Sequence, residues 1–257
     1  MKVLRLFLTI GCLLTLLTFT ACNPKIENPT EVLSADSLNT ESTSVLQDGT
    51  YQAVGRYLNP HGYGIKMTAE VRQNIITKVH YEEVDLQGNQ RPDTRWDSSE
   101  KSLFQTISQL YGLFIEHQSP DFDTITGATE SSEAFKALAQ CILNSATSGD
   151  TSIATTDAYT QTYTAESQPD LEGYRGKLSI TFRDETIIQV SYDEVEGSDI
   201  RSSNITLKQA FTAMTKETLE QQDLSPISGS PASAESTSRY NDLLQSISLQ
   251  RVAFISQ

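Results

Sequence analysis

Cysteine and histidine are scarce, at three of each in 257 residues. They form no CxxC, HxxxH or HExxH spacing, which excludes the usual tetrahedral zinc sites. Nor is there an EF-hand loop, a Walker A sequence, a GxGxxG or a GxSxG, so the common calcium, nucleotide and serine-hydrolase signatures are missing too. Positive charge is short: 19 Lys and Arg stand against 33 Asp and Glu, a net charge of −14. A surface this acidic repels phosphate backbones, so no nucleic-acid partner is expected. Hydrophobic residues make up only 37%, while Ser and Thr number 58. That balance suits a surface-rich extracellular chain with long polar connections better than a cytosolic enzyme with one large core. The length allows one large domain or two small ones.

The N-terminus indicates a destination. Lys2 and Arg5 precede a run of apolar or small residues from Leu6 to Ala21, centred on Leu13, Leu14, Leu16 and Leu17. The run is too short for a comfortable transmembrane helix and has the shape of a secretory signal. It ends Phe19-Thr20-Ala21-Cys22. Small residues directly before a cysteine resemble the lipobox of bacterial lipoproteins, although Phe19 stands where Leu is more usual. The resemblance implies a signal peptide over residues 1–21 and a mature N-terminus at Cys22 carrying acyl chains such as palmitate. The chain would then be lipid-anchored on the extracytoplasmic face of the cell membrane. Removal of Cys12 would leave Cys22 and Cys141, with Cys22 blocked, so no intrachain disulfide is expected. Residues 22–47 contain Pro24, Pro29 and many Ser, Thr, Asn and Glu without hydrophobic period. They read as a flexible tether of roughly 25–30 Å root-mean-square span.

The remainder repeats itself. Gly62-Tyr63 and Gly173-Tyr174 are 111 residues apart. From Lys66 one copy reads KMTAEVRQNIITKVHYEEVD; from Lys177 the other reads KLSITFRDETIIQVSYDEVE. Lys66, Arg72, Ile76, Val79, Tyr81, Glu83 and Val84 recur without a gap. Each copy reads as a β-hairpin turning at Gln73-Asn74 or Asp184-Glu185. An extra first strand is expected over 49–57 and 159–163. A helix follows in each copy, carrying Leu103, Phe104, Ile107, Leu110, Tyr111 and Phe114, or Leu207, Phe211, Met214 and Leu219. A short loop then leads to a last helix with Phe135, Leu138, Cys141 and Ile142, or Tyr240, Leu243, Leu244 and Ile247. The expected fold class is α+β, with two tandem, degenerate domains, each an antiparallel sheet with flanking helices. Their expected bounds are 48–145 and 157–257, with a Ser/Thr-rich linker over 146–156. Cys141 is read as an inert core thiol, and His61, His80 and His117 as scattered surface or packing residues.

The first loop carries the chemistry. Asp123, Thr126, Gly127, Ala128 and Thr129 spell Asp-x-x-Thr-Gly-Ala-Thr. Gly127 permits a tight turn, and Thr129 falls at or just before the start of a helix. Helix N-termini offer unpaired N–H groups and a partial positive charge, a natural phosphate site. Thr126, Ser131 and Ser132 are candidate hydroxyl donors there. The alternative at Thr129 is a plain N-cap, completed by Ser132 or Glu133.

The same loop resembles the flavinylation motif of FMN-binding domains. That family includes the FMN-carrying subunits of bacterial ion-pumping oxidoreductases and surface flavo-lipoproteins of extracellular electron transfer. The resemblance implies covalent FMN on Thr129 through a phosphoester, installed by a separate flavin transferase that recognises Asp123. It implies an electron carrier more than an autonomous enzyme, taking electrons from a membrane donor and passing them to an external acceptor. In the second copy Ser225 replaces the Asp and Pro231 replaces the acceptor, so one flavin is expected, on the first copy. The competing expectation is a structural or binding lipoprotein that kept the fold and lost the cofactor.

Overall fold

The computed structural model describes residues 45–93, 102–229 and 233–254. The expected signal peptide, Cys22 and most of the expected tether lie outside the described residues, as does Pro231.

The chain is α+β. Its first half contributes strands β1 (Gly49–Gly55), β2 (Gly64–Arg72) and β3 (Ile75–Val84), then helices α1 (Leu103–His117) and α2 (Thr129–Ser148). A short strand β4 (Ala154–Thr156) follows, and then β5 (Gln161–Glu166), β6 (Arg175–Arg183), β7 (Thr186–Glu196) and β8 (Asp199–Ile200). Helices α3 (Ile205–Gln221) and α4 (Ala234–Gln250) complete it. One sheet has the order β3-β2-β1-β4 and the other β5-β6-β7-β8.

The two halves are built alike, down to their irregularities. Both hairpins turn through two residues at positive φ: Gln73 and Asn74 at 53° and 63°, Asp184 and Glu185 at 48° and 65°. Two left-handed residues in a row match the right-handed twist of the flanking strands. Both ladders shift register at the same place, between Glu70 and Val71 and between Thr181 and Phe182. Alternate residues of β2 face inward, so Met67, Ala69 and Val71 join one core, as Leu178, Ile180 and Phe182 join the other. The helices cover these faces with residues at helical spacing: Leu103, Ile107, Leu110 and Phe114 on α1, Phe135, Leu138 and Ile142 on α2.

Each first helix ends in the same clip. Gln118 and Gln222 sit at left-handed C-caps, with φ of 53° and 59°. The Gln118 amide donates to the Ile76 and Ile115 carbonyls at 3.1 and 2.6 Å, and its oxygen accepts from the Ile76 N–H at 2.7 Å. Gln222 does the same with Ile187 and Leu219. The clip ties a helix end to the return strand of the hairpin and satisfies a helix carbonyl. Gln118→Ala is therefore expected to cost about 1–3 kcal/mol, because a strand N–H loses its partner. Urea unfolding measures it, with Glu116→Ala, an exposed neighbour on α1, as the reference.

Residues 146–156 differ from the linker expected of their Ser/Thr content. Helix α2 runs on to Ser148, because Ser145 and Ala146 continue its buried face, and it stops at Gly149 with φ of 73°. Ala154–Thr156 then pairs in parallel with β1. The first strand of the second half also lies later than expected, at Gln161–Glu166 rather than 159–163. The halves touch directly: Val54, Leu58 and Val84 pack with Phe254, and the Tyr163 hydroxyl donates to the Leu58 carbonyl.

Candidate functional site

The loop after α1 is held from inside. Ser132 is fully buried; its hydroxyl donates to the Ala128 carbonyl at 2.8 Å and accepts from the Ile125 N–H at 3.1 Å. Lys136 reaches back to the Phe122 carbonyl at 2.6 Å. Gly127 takes φ of 81°, a conformation that L side chains resist, and open space surrounds the position its Cβ would fill. Backbone handedness, not crowding, is what calls for glycine there.

The N-cap of α2 is Ala128, with φ −136° and ψ 40° and no side-chain cap. Thr129 is thus the first helical residue rather than the cap, and its side chain is exposed. The reading of Thr129 as a plain N-cap is set aside on this geometry. Ser132 is also removed as a free hydroxyl donor, since both its bonds close the loop on itself. The first-turn N–H groups of Thr129, Glu130 and Ser131 have no intrahelical acceptors, as at any helix start.

These residues edge a cleft of about 380 Å³, within the range of small-molecule sites. Gly127, Ala128, Thr129, Glu130, Ser131 and Ala134 form one wall. Asn59 to His61, from the β1–β2 loop, form another, and Tyr159 to Gln161 a third. Asp123 and Thr126 are exposed outside the cleft lining, so the motif divides: Gly127, Ala128 and Thr129 belong to the cleft, Asp123 and Thr126 to the outer face of the loop.

A polar cluster forms the floor. Glu83 is 6% exposed, and its Oε2 accepts from Arg91 at 2.8 Å and from Asn59 at 2.9 Å. The Tyr81 hydroxyl donates to Glu83 Oε1 at 3.2 Å. Burial, then the Glu83 charge, push the Tyr81 phenol well up, so it stays a donor. Burial, then the Arg91 charge, hold the His61 imidazole below its ordinary value despite Glu83 nearby. His61 is therefore neutral near pH 7; it is exposed, in keeping with its reading as a surface or packing residue, and it also lines the cleft. Burial, then Glu133, raise the Glu130 carboxyl. Arg91 also lies over the Tyr63 ring at 5.7 Å.

Phe135 holds this wall in place. Its ring stacks among Tyr81, Tyr111, Phe114 and Phe122, with centroids 5.8 to 6.4 Å away. The start of α2 and the floor of the cleft thus share one aromatic core. Cys141 is half-buried beside it, and burial raises its thiol above the ordinary range, opposed by a hydrogen bond with Thr156. That keeps the thiol protonated and unreactive.

Sequence reasoning missed Asn59 and Arg91 altogether and met Tyr81 and Glu83 only as repeat identities. The signal was the recurrence of Tyr81 and Glu83 as Tyr192 and Glu194: a buried Glu kept through divergence of two copies asks for a partner.

No protein-family model matches the chain, and no curated protein matches it. Two solved structures resemble parts of it. A crystal structure of a Clostridium perfringens protein is 32% identical over 43% of this chain and 97% of its own length, with a TM-score of 0.39. A solution NMR structure of a Clostridium thermocellum protein is 21% identical over 39% of this chain and 92% of its own, with a TM-score of 0.30.

Proposed function

We propose that this chain is a membrane-anchored, extracytoplasmic flavoprotein that carries FMN on Thr129 and passes electrons from a membrane reductase to an external acceptor. The observation that carries the reading is the position of Thr129: an exposed hydroxyl at the first residue of α2, on the rim of a cleft with a buried polar floor. The residues suit the group. A phosphoester at Thr129 would meet the free N–H groups of Thr129, Glu130 and Ser131, together with the positive end of the helix. That local field favours a phosphate even on a chain with net charge −14. The cleft beside it has room for an aromatic ring system. FMN bound there supplies one- and two-electron redox chemistry. The chain's own part is to anchor the phosphate, shelter the ring and keep the group from diffusing away outside the cell. Asp123 is exposed and outside the cleft lining, which suits recognition by a separate flavin transferase better than contact with the ring. Through its expected acyl anchor at Cys22 the chain would stay near its membrane donor.

Mass spectrometry of the protein from a flavin-transferase-containing host tests this. The peptide containing Thr129 is expected to gain the mass of FMN less one water, and peptides of the second half none, because α4 begins at Ala234, which has no hydroxyl. An unmodified Thr129 peptide from such a host would reject the reading.

A further inference from the structure

The second half holds the same floor with one difference. Tyr192, Glu194 and Arg201 stand where Tyr81, Glu83 and Arg91 stand, and Asp170 where Asn59 stands. Asn59 and Asp170 each accept N–H bonds from the second and fourth residues after them. In both halves the Tyr donates to Oε1 of the Glu, and an Arg meets its Oε2. Helices α2 and α4 align through Phe135 with Tyr240, Leu138 with Leu243 and Ile142 with Ile247, all buried. In that register Ala134, in the wall of the open cleft, corresponds to Arg239.

Arg239 fills the corresponding space. Its guanidinium meets Glu194 Oε1 at 2.5 Å and Asp170 Oδ2 at 3.2 Å. Gly176, which corresponds to Ile65, makes room: a Cβ there would stand 2.8 Å from Arg239 Cδ. Glu194 Oε1 thus has a hydrogen-bond donor in Tyr192 and an ion-pair partner in Arg239. Among the described residues, Glu83 Oε1 has one partner, the Tyr81 hydroxyl at 3.2 Å. A carboxylate oxygen accepts more than one hydrogen bond. In the first half, among the described residues, no guanidinium stands against Oε1, and Glu83 lines the cleft.

We propose that the ligand of the first-half cleft presents a planar N–H donor edge to Glu83 Oε1, and that the second half is a closed copy of this site whose built-in occupant is Arg239. This rests on the flavin reading for the ligand's identity: the pyrimidine edge of an isoalloxazine is planar and holds one N–H, at N3, between two carbonyls. Glu83 accepts from that N–H, and Arg91 is the donor at hand for a carbonyl. The sister cleft needs no ligand because a guanidinium, planar and rich in N–H, already satisfies its carboxylate.

Riboflavin is the probe, titrated into the unmodified full chain made without a flavin transferase, with flavin fluorescence as the readout. Saturable quenching is expected. N3-methylriboflavin, which lacks the donor, is expected to bind about tenfold more weakly or worse, since a hydrogen bond to a charged group is lost. The double variant Ile65→Gly, Ala134→Arg copies the Glu–Arg part of the sister pairing; it is expected to fold and to lose riboflavin binding. Equal binding of the two flavins, undiminished binding by a folded double variant, or no saturable riboflavin binding would each overturn the proposal. The N3-methyl comparison uses the wild-type chain, so it stands even if the variant fails to fold. The mass of the Thr129 peptide separates this from the attachment itself. A chain flavinylated at Thr129 but indifferent to the N3-methyl group keeps the covalent site and loses the donor edge. One that binds riboflavin through N3–H but gains no mass keeps the cleft and loses the attachment.

Discussion

Thr129→Ala is expected to give a folded, colourless protein. The Thr129 side chain is exposed and is not the cap of α2. Removing its hydroxyl therefore breaks no loop or helix bond, and a surface change of this kind stays within about 0.5 kcal/mol. Alanine is also the better helix former at that position. The flavin, by contrast, would be lost completely, since the ester has no oxygen to form on. Thr129→Ser restores a primary hydroxyl in the same place and is expected to recover part of the visible flavin band. The variants are compared by that band after denaturation, which only covalent flavin survives, and by the ferric-reduction rate of cells carrying each. A Thr129→Ala protein that stays yellow once denatured would move the acceptor elsewhere. Flavin loss with wild-type reduction of every acceptor tried would remove the electron-transfer role while keeping the site.

The fold was largely legible because its signals are local. Strand alternation around Gln73-Asn74 and Asp184-Glu185 located both hairpins, and the turn residues adopt the left-handed pair that such turns require. Aromatic spacing located α1 and α2, and Gly127 located the turn before Thr129. The extension of α2 and strand β4 were less legible, since Ser145, Ala146 and Thr156 are small or polar residues whose burial depends on what packs over them. The Gln118 and Gln222 clips escaped for a similar reason: a glutamine after a helix carries no pattern until the hairpin it grips is in place. The cleft is harder still. Asn59, Glu83, Arg91 and Thr129 are far apart in the chain and converge only once β1, β2, β3 and α2 are packed. The motif pointed to one rim of the site, and the floor had to come from the structure.

The floor of the second half carries the other large expected effect. Glu194 is fully buried and is met by Tyr192 at 2.7 Å, Arg201 at 2.7 Å and Arg239 at 2.5 Å. Arg201 and Arg239 also share Asp170. Burial alone would raise the Glu194 carboxyl, but the hydrogen bonds from Tyr192, Arg201, Ser236 and Arg239 outweigh it and hold the group below its ordinary value. Glu194→Gln leaves two guanidiniums sharing the buried Asp170 side chain, with only the exposed Glu172 and Glu235 besides, so a loss of about 3–5 kcal/mol is expected, the range for breaking a buried charge pair. The pH dependence has a definite sign. The unfolded chain binds the Glu194 proton more readily than the folded one, so the contribution is whole above the ordinary glutamate value of about 4.3 and fades as pH falls through the lower folded value. Asp170, held low by its N–H bonds from Tyr174 and Glu172 and by the Arg201 and Arg239 charges despite the opposing effect of burial, fades in the same direction. Urea unfolding from neutral pH down into this acid window should show wild type converging on Glu194→Gln, because acid performs on the one what the substitution performs on the other. A constant gap between the two down to about pH 3 would mean that Glu194 acts through shape and not through charge, and Arg239 would then be held in its cleft by packing alone.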